Sequence, residues 1–174
     1  NYNDIYFIKK RVPGRLGYHH MCHFWSNYYR YPKTEYSKYD IAFNFDDDSL
    51  WTKNFDFSFI EHLMKSDSVL MSFNCYKYEV NHRSREVRTG LCELVCNYCR
   101  KYNITPKKQW LKELLNINDK QERENFFQVN LICYDTNITK LKIFDTEQHK
   151  KWMHDINESN GIYKYRWGDN EVLS

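Results

Sequence analysis

No stretch of this 174-residue sequence approaches the roughly twenty consecutive apolar residues that cross a bilayer, so nothing in it reads as a membrane span. No segment has the charged, apolar and small-residue regions of a signal peptide. An initiator Met is missing: the sequence opens at Asn1 in mid-pattern, which predicts a piece of a longer protein. A dense basic stripe is missing too. With 26 Lys and Arg against 23 Asp and Glu, the formal charge is +3 and the pI near 8.4, a mild excess that suits a phosphate-bearing ligand and argues against a nucleic-acid partner. There is no internal repeat and no low-complexity tract, which leaves one domain over residues 1–174, long enough to bury a substantial core.

Aromatic residues are plentiful at 18%, and Tyr alone accounts for 15 positions, a supply of side chains for core packing and for stacking on sugars and bases. Six cysteines, Cys22, Cys75, Cys92, Cys96, Cys99 and Cys133, form up to three disulfides in a secretory lumen or remain thiols in a cytosol. Cys92, Cys96 and Cys99 have the spacing of one helical face, which points to burial; a zinc site would need a fourth ligand at a sensible spacing.

The chemistry concentrates in Tyr39–Trp51, YDIAFNFDDDSLW, where an apolar run meets three carboxylates. Ile41, Ala42, Phe43 and Phe45 read as a buried strand ending at Asp46, Asp47 and Asp48. Alternation along an extended chain puts Asp46 and Asp48 on one side and Asp47 on the other. Two carboxylates held together repel unless a cation lies between them, and hard oxygen ligands favour magnesium, manganese or calcium over zinc. Such a pair at a strand's carboxyl end is a device for holding a metal and a diphosphate. The competing reading is an acidic turn whose Asp46 or Asp48 caps the next helix.

Along the chain, Ile5–Val12 reads as a strand, and the stretch from Tyr18 to Tyr29 as a helix carrying His19, His20 and His23, with His19 and His23 one turn apart and expected to meet solvent or phosphate. Phe55–Lys65 reads as a helix and Val69–Tyr78 as a returning strand, followed by a charged connection, Val80–Arg88. Leu91–Tyr102 and Trp110–Leu115 read as helices and Asn116–Asn125 as a loop. Phe126–Tyr134, FFQVNLICY, reads as a second apolar strand ending in an acid, Asp135, which would bring another carboxylate to the rim of Asp46 and Asp48. Phe144–Asn157 reads as a helix before the terminal IYKYRWGD. The β-acidic turn-α-β order implies an α/β layer fold with its site at the strand ends.

In this order the motifs resemble the Kre2/Mnt1 mannosyltransferases, glycosyltransferase family 15, over most of the chain. GYHHMCHFWSNYY is similar to the family's YRxMxRFxSGFF, and KYDIAFNFDDDSLW to YDWYWRVEPDV, with its EPD on Asp46, Asp47 and Asp48. VNLICYDTN looks like HFWSNFEI, and NGIYKYRWGDNEVLS like GGFYYERWGDAPVHS, RWGD being the most specific shared string. The resemblance implies a GT-A-like fold, a mixed central sheet flanked by helices, lacking here the family's N-terminal nucleotide-binding strands. It implies an enzyme that moves a hexose, mannose from GDP-mannose, to a glycan or glycoprotein hydroxyl with retention, using manganese or magnesium. By the same resemblance Asp46 and Asp48 hold the metal and diphosphate, Tyr18 binds the donor, and His19 and His23 stand at the donor side where the family has Arg. Asp135 takes the place of the family's candidate nucleophile, a Glu, and Arg166, Trp167 and Asp169 line the acceptor side or another part of the site. Golgi-lumenal placement is implied as well, in a type II membrane protein whose anchor lies outside this chain. Leu173 replaces the family's metal-binding His. That replacement keeps open a second reading, a catalytically silent module that binds a glycan or nucleotide sugar.

Overall fold

The computed structural model describes residues 16–28, 35–45, 56–68, 70–73, 87–130, 136–168 and 172. Helix α1, Leu16–Tyr28, is followed by a 3₁₀ turn at Glu35–Lys38 and strand β1, Ile41–Phe45. Helix α2, Ser58–Lys65, leads to strand β2, Leu70–Phe73. Three helices follow, α3 over Leu91–Lys101, α4 over Gln109–Asn116 and α5 over Lys120–Asn130. The chain then forms β3, Thr136–Lys140, a 3₁₀ turn at Leu141–Asp145, helix α6, Glu147–Ser159, and a short helix α7, Gly161–Tyr165. The expected strand Ile5–Val12 lies outside the described residues.

Among the described residues the sheet has three strands in the order β1-β3-β2, with β3 antiparallel to both neighbours. Strands β1 and β2 therefore run parallel, and the crossover through α2 leaves a slot between them that a strand from much later in the chain fills. The slot is fastened by Lys140, which is 5% exposed and donates from Nζ to the carbonyls of Ser66 (2.7 Å) and Met64 (3.4 Å) at the end of α2. A cation at a helix C-terminus satisfies carbonyls that have no partner within the helix.

Local chemistry sets three of the helix starts. Asp56 accepts the Ser58 N–H and hydroxyl, both at 2.9 Å, ahead of α2, and the backbone bond lowers the Asp56 carboxyl below its ordinary range. Thr146 Oγ1 accepts the His149 N–H at the start of α6. Asp119 Oδ1 accepts the Glu122 N–H at 2.7 Å, and Asp119–Glu122 has the spacing of a capping box. This last cap overturns two expectations at once. The polar segment before Asn125 is helical from Lys120, and Phe126–Asn130 continues that helix instead of beginning a strand. The burial pattern agrees: Phe127 and Gln128 are buried while Val129 is 48% exposed, and Asn130 donates to the Phe126 carbonyl one turn back. Residues 131–135 lie outside the described set.

The main core is helical and takes Cys22 from α1, Leu91, Cys92 and Cys96 from α3, Leu114, Phe127, Met153, Ile156, Ile162 and Trp167. Cys92, Cys96 and Cys99 are all buried on α3 as free thiols, and burial pushes the Cys99 thiol up from its ordinary range. Arg88, expected in a solvated connection, is instead 1% exposed and donates to Gln128 Oε1. A smaller cluster of Ala42, Leu141 and Phe144 supports the sheet.

Trp167 fixes the last turn of the chain. It is 1% exposed, its indole N–H donates to the Thr89 carbonyl at 3.0 Å, and a Cβ built on Gly161 would lie 2.2 Å from its ring. Burying a side chain of this kind stabilises by about 1.5–3 kcal/mol, and only Gly at 161 leaves the room for it. Gly161→Ala is expected to cost about 1–3 kcal/mol by overpacking a rigid ring. By contrast Gly17→Ala, in α1 with nothing within 4 Å of the new Cβ, should stabilise by about 0.5–1 kcal/mol. Urea midpoints of the two variants check both signs.

Candidate functional site

The sheet register defines one rim. Phe45, the last residue of β1, is the register partner of Thr136, the first of β3, and Phe73, the last of β2, pairs with the same residue. The carboxyl ends of β1 and β2 and the start of β3 thus share an edge. Asp46, Asp47, Asp48, Asp135, Asp169 and Leu173 lie outside the described residues. Their covalent neighbours carry the information that is available: position 46 follows Phe45, and position 135 precedes Thr136. Asp135 is therefore next to the start of a strand, where a carboxylate at the end of an apolar strand was expected. Among the described residues no group of three or more His, Cys, Asp or Glu has metal-holding geometry.

A second group of predicted residues is fully described, at the junction of α1 with α7 and the turn after it. Arg166 has left-handed backbone angles, φ 64 and ψ 38, and its guanidinium carbon lies 4.4 Å from the centroid of the Tyr18 ring. The sequence reading assigns Tyr18 and Arg166 to different parts of the site, and the structure places them in contact. Tyr18 is 37% exposed, so one side of the pair is open.

His19 and Trp167 behave differently from what their motifs suggested. His19 is 0% exposed and its Nδ1 meets the Ile162 carbonyl at 2.7 Å, so it faces the core and not solvent or a phosphate. It ties α1 to α7. Trp167 belongs to the core and does not line an open surface, because its ring fills the space over Gly161. His23 is half-buried, its ring 5.6 Å from that of Tyr163. His20 Nδ1 and the Tyr163 hydroxyl are 3.1 Å apart. Tyr163, which the sequence reading passed over, is therefore the residue around which the three histidines collect. The available signal was its position within GIYKYRWGD, three residues before Arg166.

No protein-family model matches the chain. The probable mannosyltransferase KTR4 of Saccharomyces cerevisiae is 23% identical over 161 residues, covering 90% of this chain and 33% of the relative. The X-ray structure of Ktr4p from that yeast superposes with a TM-score of 0.79 at 17% identity, over 100% of this chain and 44% of the other. In sequence and in fold, the chain is similar to this mannosyltransferase. The Ktr4p structure in complex with GDP gives a TM-score of 0.70 at 19% identity, over 90% of this chain and 39% of the other. The α/β glycosyltransferase fold expected from the motifs is thus the fold observed. The chain spans about a third of the length of the curated relative it matches.

Burial holds the His23 imidazole below its ordinary 6.5, neighbouring His20 adds to this, and a hydrogen bond with Asn157 partly opposes it. The folded-state value being the lower one, the unfolded chain binds the extra proton first. Stability from this residue is therefore complete above pH 6.5 and is lost as pH falls below it toward the folded-state value. His23→Gln is expected to flatten that part of the profile, measured as denaturation midpoints from pH 7.5 to 5.

Proposed function

We propose that the protein containing this chain is a metal-dependent glycosyltransferase that moves mannose from GDP-mannose to a glycan hydroxyl with retention. The observation that supports the reading is the register of Phe45 with Thr136, the residues that in sequence adjoin Asp46 and Asp135. The likeness to Ktr4p and to its GDP complex supports the donor class.

Asp46 and Asp48 offer hard carboxylate oxygens as β1 leaves the sheet, a donor set that fits manganese or magnesium. The bound cation would neutralise charge on the departing diphosphate, which grows in the transition state. Asp135 presents a carboxylate to the anomeric carbon, either as nucleophile or as a negative charge beside an oxocarbenium-like centre. Retention follows if the glycan hydroxyl then displaces that carboxylate from the opposite face. Tyr18 and Arg166 contribute a polar, aromatic wall to the donor side. Passage through the Golgi lumen, on an anchor outside this chain, suits a glycan acceptor. A silent glycan- or nucleotide-sugar-binding module is the second reading, and Leu173 in place of a metal-binding His is the feature that favours it.

Sugar transfer separates them. Asp48→Asn in the whole protein is expected to lower manganese-dependent GDP affinity, and unchanged affinity in a titration removes the metal role. Asp135→Ala is expected to reduce transfer about a hundredfold or more, since even small misplacement of a reacting group costs about that much. If Ala matches wild type, Asp135 is not catalytic. Transfer faster with Asp135→Glu than with Asp135 identifies the native protein as a weakened enzyme.

A further inference from the structure

Arg166 is the residue whose surroundings are least explained by packing. A left-handed backbone costs a non-glycine residue about 1–2 kcal/mol, and residues held there collect at ligand sites. The position is the C-cap of α7, where a left-handed residue commonly ends a helix, but the residue that fills it is Arg and not the usual Gly or Asn. The segment is forced: Trp167 is locked into the core immediately after it, and Ile162, at the start of the preceding helix, is held by His19.

The guanidinium is also uncompensated. Its Nε is buried with no hydrogen-bond partner, and among the described residues no carboxylate forms an ion pair with it. Its one observed partner is the Tyr18 ring. An aromatic face attracts a cation but accepts none of the five N–H groups in the plane of a guanidinium. Stacking fixes that plane, and the hydrogen-bonding capacity of its edge is not met by the ring. A planar fork with a stacked face is the arrangement in which Arg binds phosphate or carboxylate in bidentate fashion.

We infer that Arg166 is an oxyanion-binding residue, seated on Tyr18, whose ligand is the diphosphate of a nucleotide donor. The diphosphate rests on the function proposed above; the anion site rests on the strain, the unpaired Nε and the stack. Arg166 then supplies a fixed positive charge to the leaving group, in place of contacts to the acceptor sugar. The stack on Tyr18 holds the guanidinium in place before the ligand arrives, which lowers the ordering cost of binding.

The test titrates the whole protein, at constant manganese, with inorganic pyrophosphate, GDP and guanosine. Arg166→Ala is expected to weaken pyrophosphate and GDP about tenfold or more, the usual effect of losing a charge-assisted bond, and to leave guanosine unchanged. Arg166→Gly should show the same loss while its thermal midpoint stays within about 4 °C of wild type, because relief of strain offsets the lost stack. Lys164→Ala, which removes a neighbouring exposed charge on α7, is the control and should bind all three as wild type does.

Wild-type affinity for pyrophosphate in the Arg166 variants overturns the assignment. So does an equal loss in Lys164→Ala, which reduces the effect to net charge, and so does a wild-type protein that binds neither pyrophosphate nor GDP. If pyrophosphate binds through Arg166 but GDP adds nothing and no sugar is transferred, the anion site stands and the mannosyl-transfer reading fails. If sugar is transferred and the Arg166 variants bind GDP normally, the reverse holds.

Discussion

Trp167 occupies the space that a Cβ on Gly161 would need, and much of the molecule's second half is arranged around that contact. The ring ends one helix, because Asn160 must turn left-handed to bring Gly161 beneath it, and it forces a second left-handed residue, Arg166, just before itself. Its N–H reaches back to Thr89, so the C-terminal turn is hydrogen-bonded to the segment that introduces α3. With His19 bound to Ile162, the same turn is also clamped to α1. Three parts of the chain that are far apart in sequence thus meet around α7 and the turn after it. The RWGD string, read first as a lining of the acceptor side, divides between two tasks: the Trp builds the core, and the Arg beside it faces Tyr18.

The sequence was most legible where a period and a boundary signal agreed. Helix α1 showed its aromatic and apolar spacing, β1 its run of β-formers before the acids, and the three α3 cysteines their common face. It was least legible where propensity and capping conflicted. FFQVN favours a strand by composition, but Asp119 and Glu122 start a helix that carries through it, and the helix-forming residues between them decide the outcome. Strand β3 was missed for a different reason. TNITK carries little apolar character, and its burial comes from lying between two other strands, a tertiary circumstance that no local pattern records. In the sequence Asp135 separates the expected strand from the observed one and directly precedes Thr136.

The buried polar groups follow the same logic of long-range partners. Lys140 is buried because α2 ends within its reach, and Arg88 because Gln128 of α5 lies opposite it. Neither could be recognised from neighbours in the sequence: charged residues are read as solvated by default, and only the fold supplies the carbonyl or amide that makes burial affordable. His19 is a third case, drawn inward by a backbone carbonyl 143 residues away.

Inserting β3 between two parallel strands has a consequence for how the chain reaches its structure. Among the described residues, the unit from β1 through α2 to β2 contains no strand pairing of its own, and the ladders that β1 and β2 form here both wait for β3. The first ladder closes when residues as distant as Asn44 and Asn137, 93 apart, come together. Loop closure over that span must precede any reward from the sheet, which makes a slow, non-local step the gate to folding. Until it is passed, the helices α3 to α5, made of local contacts, are in a position to form first and hold the intervening segment compact.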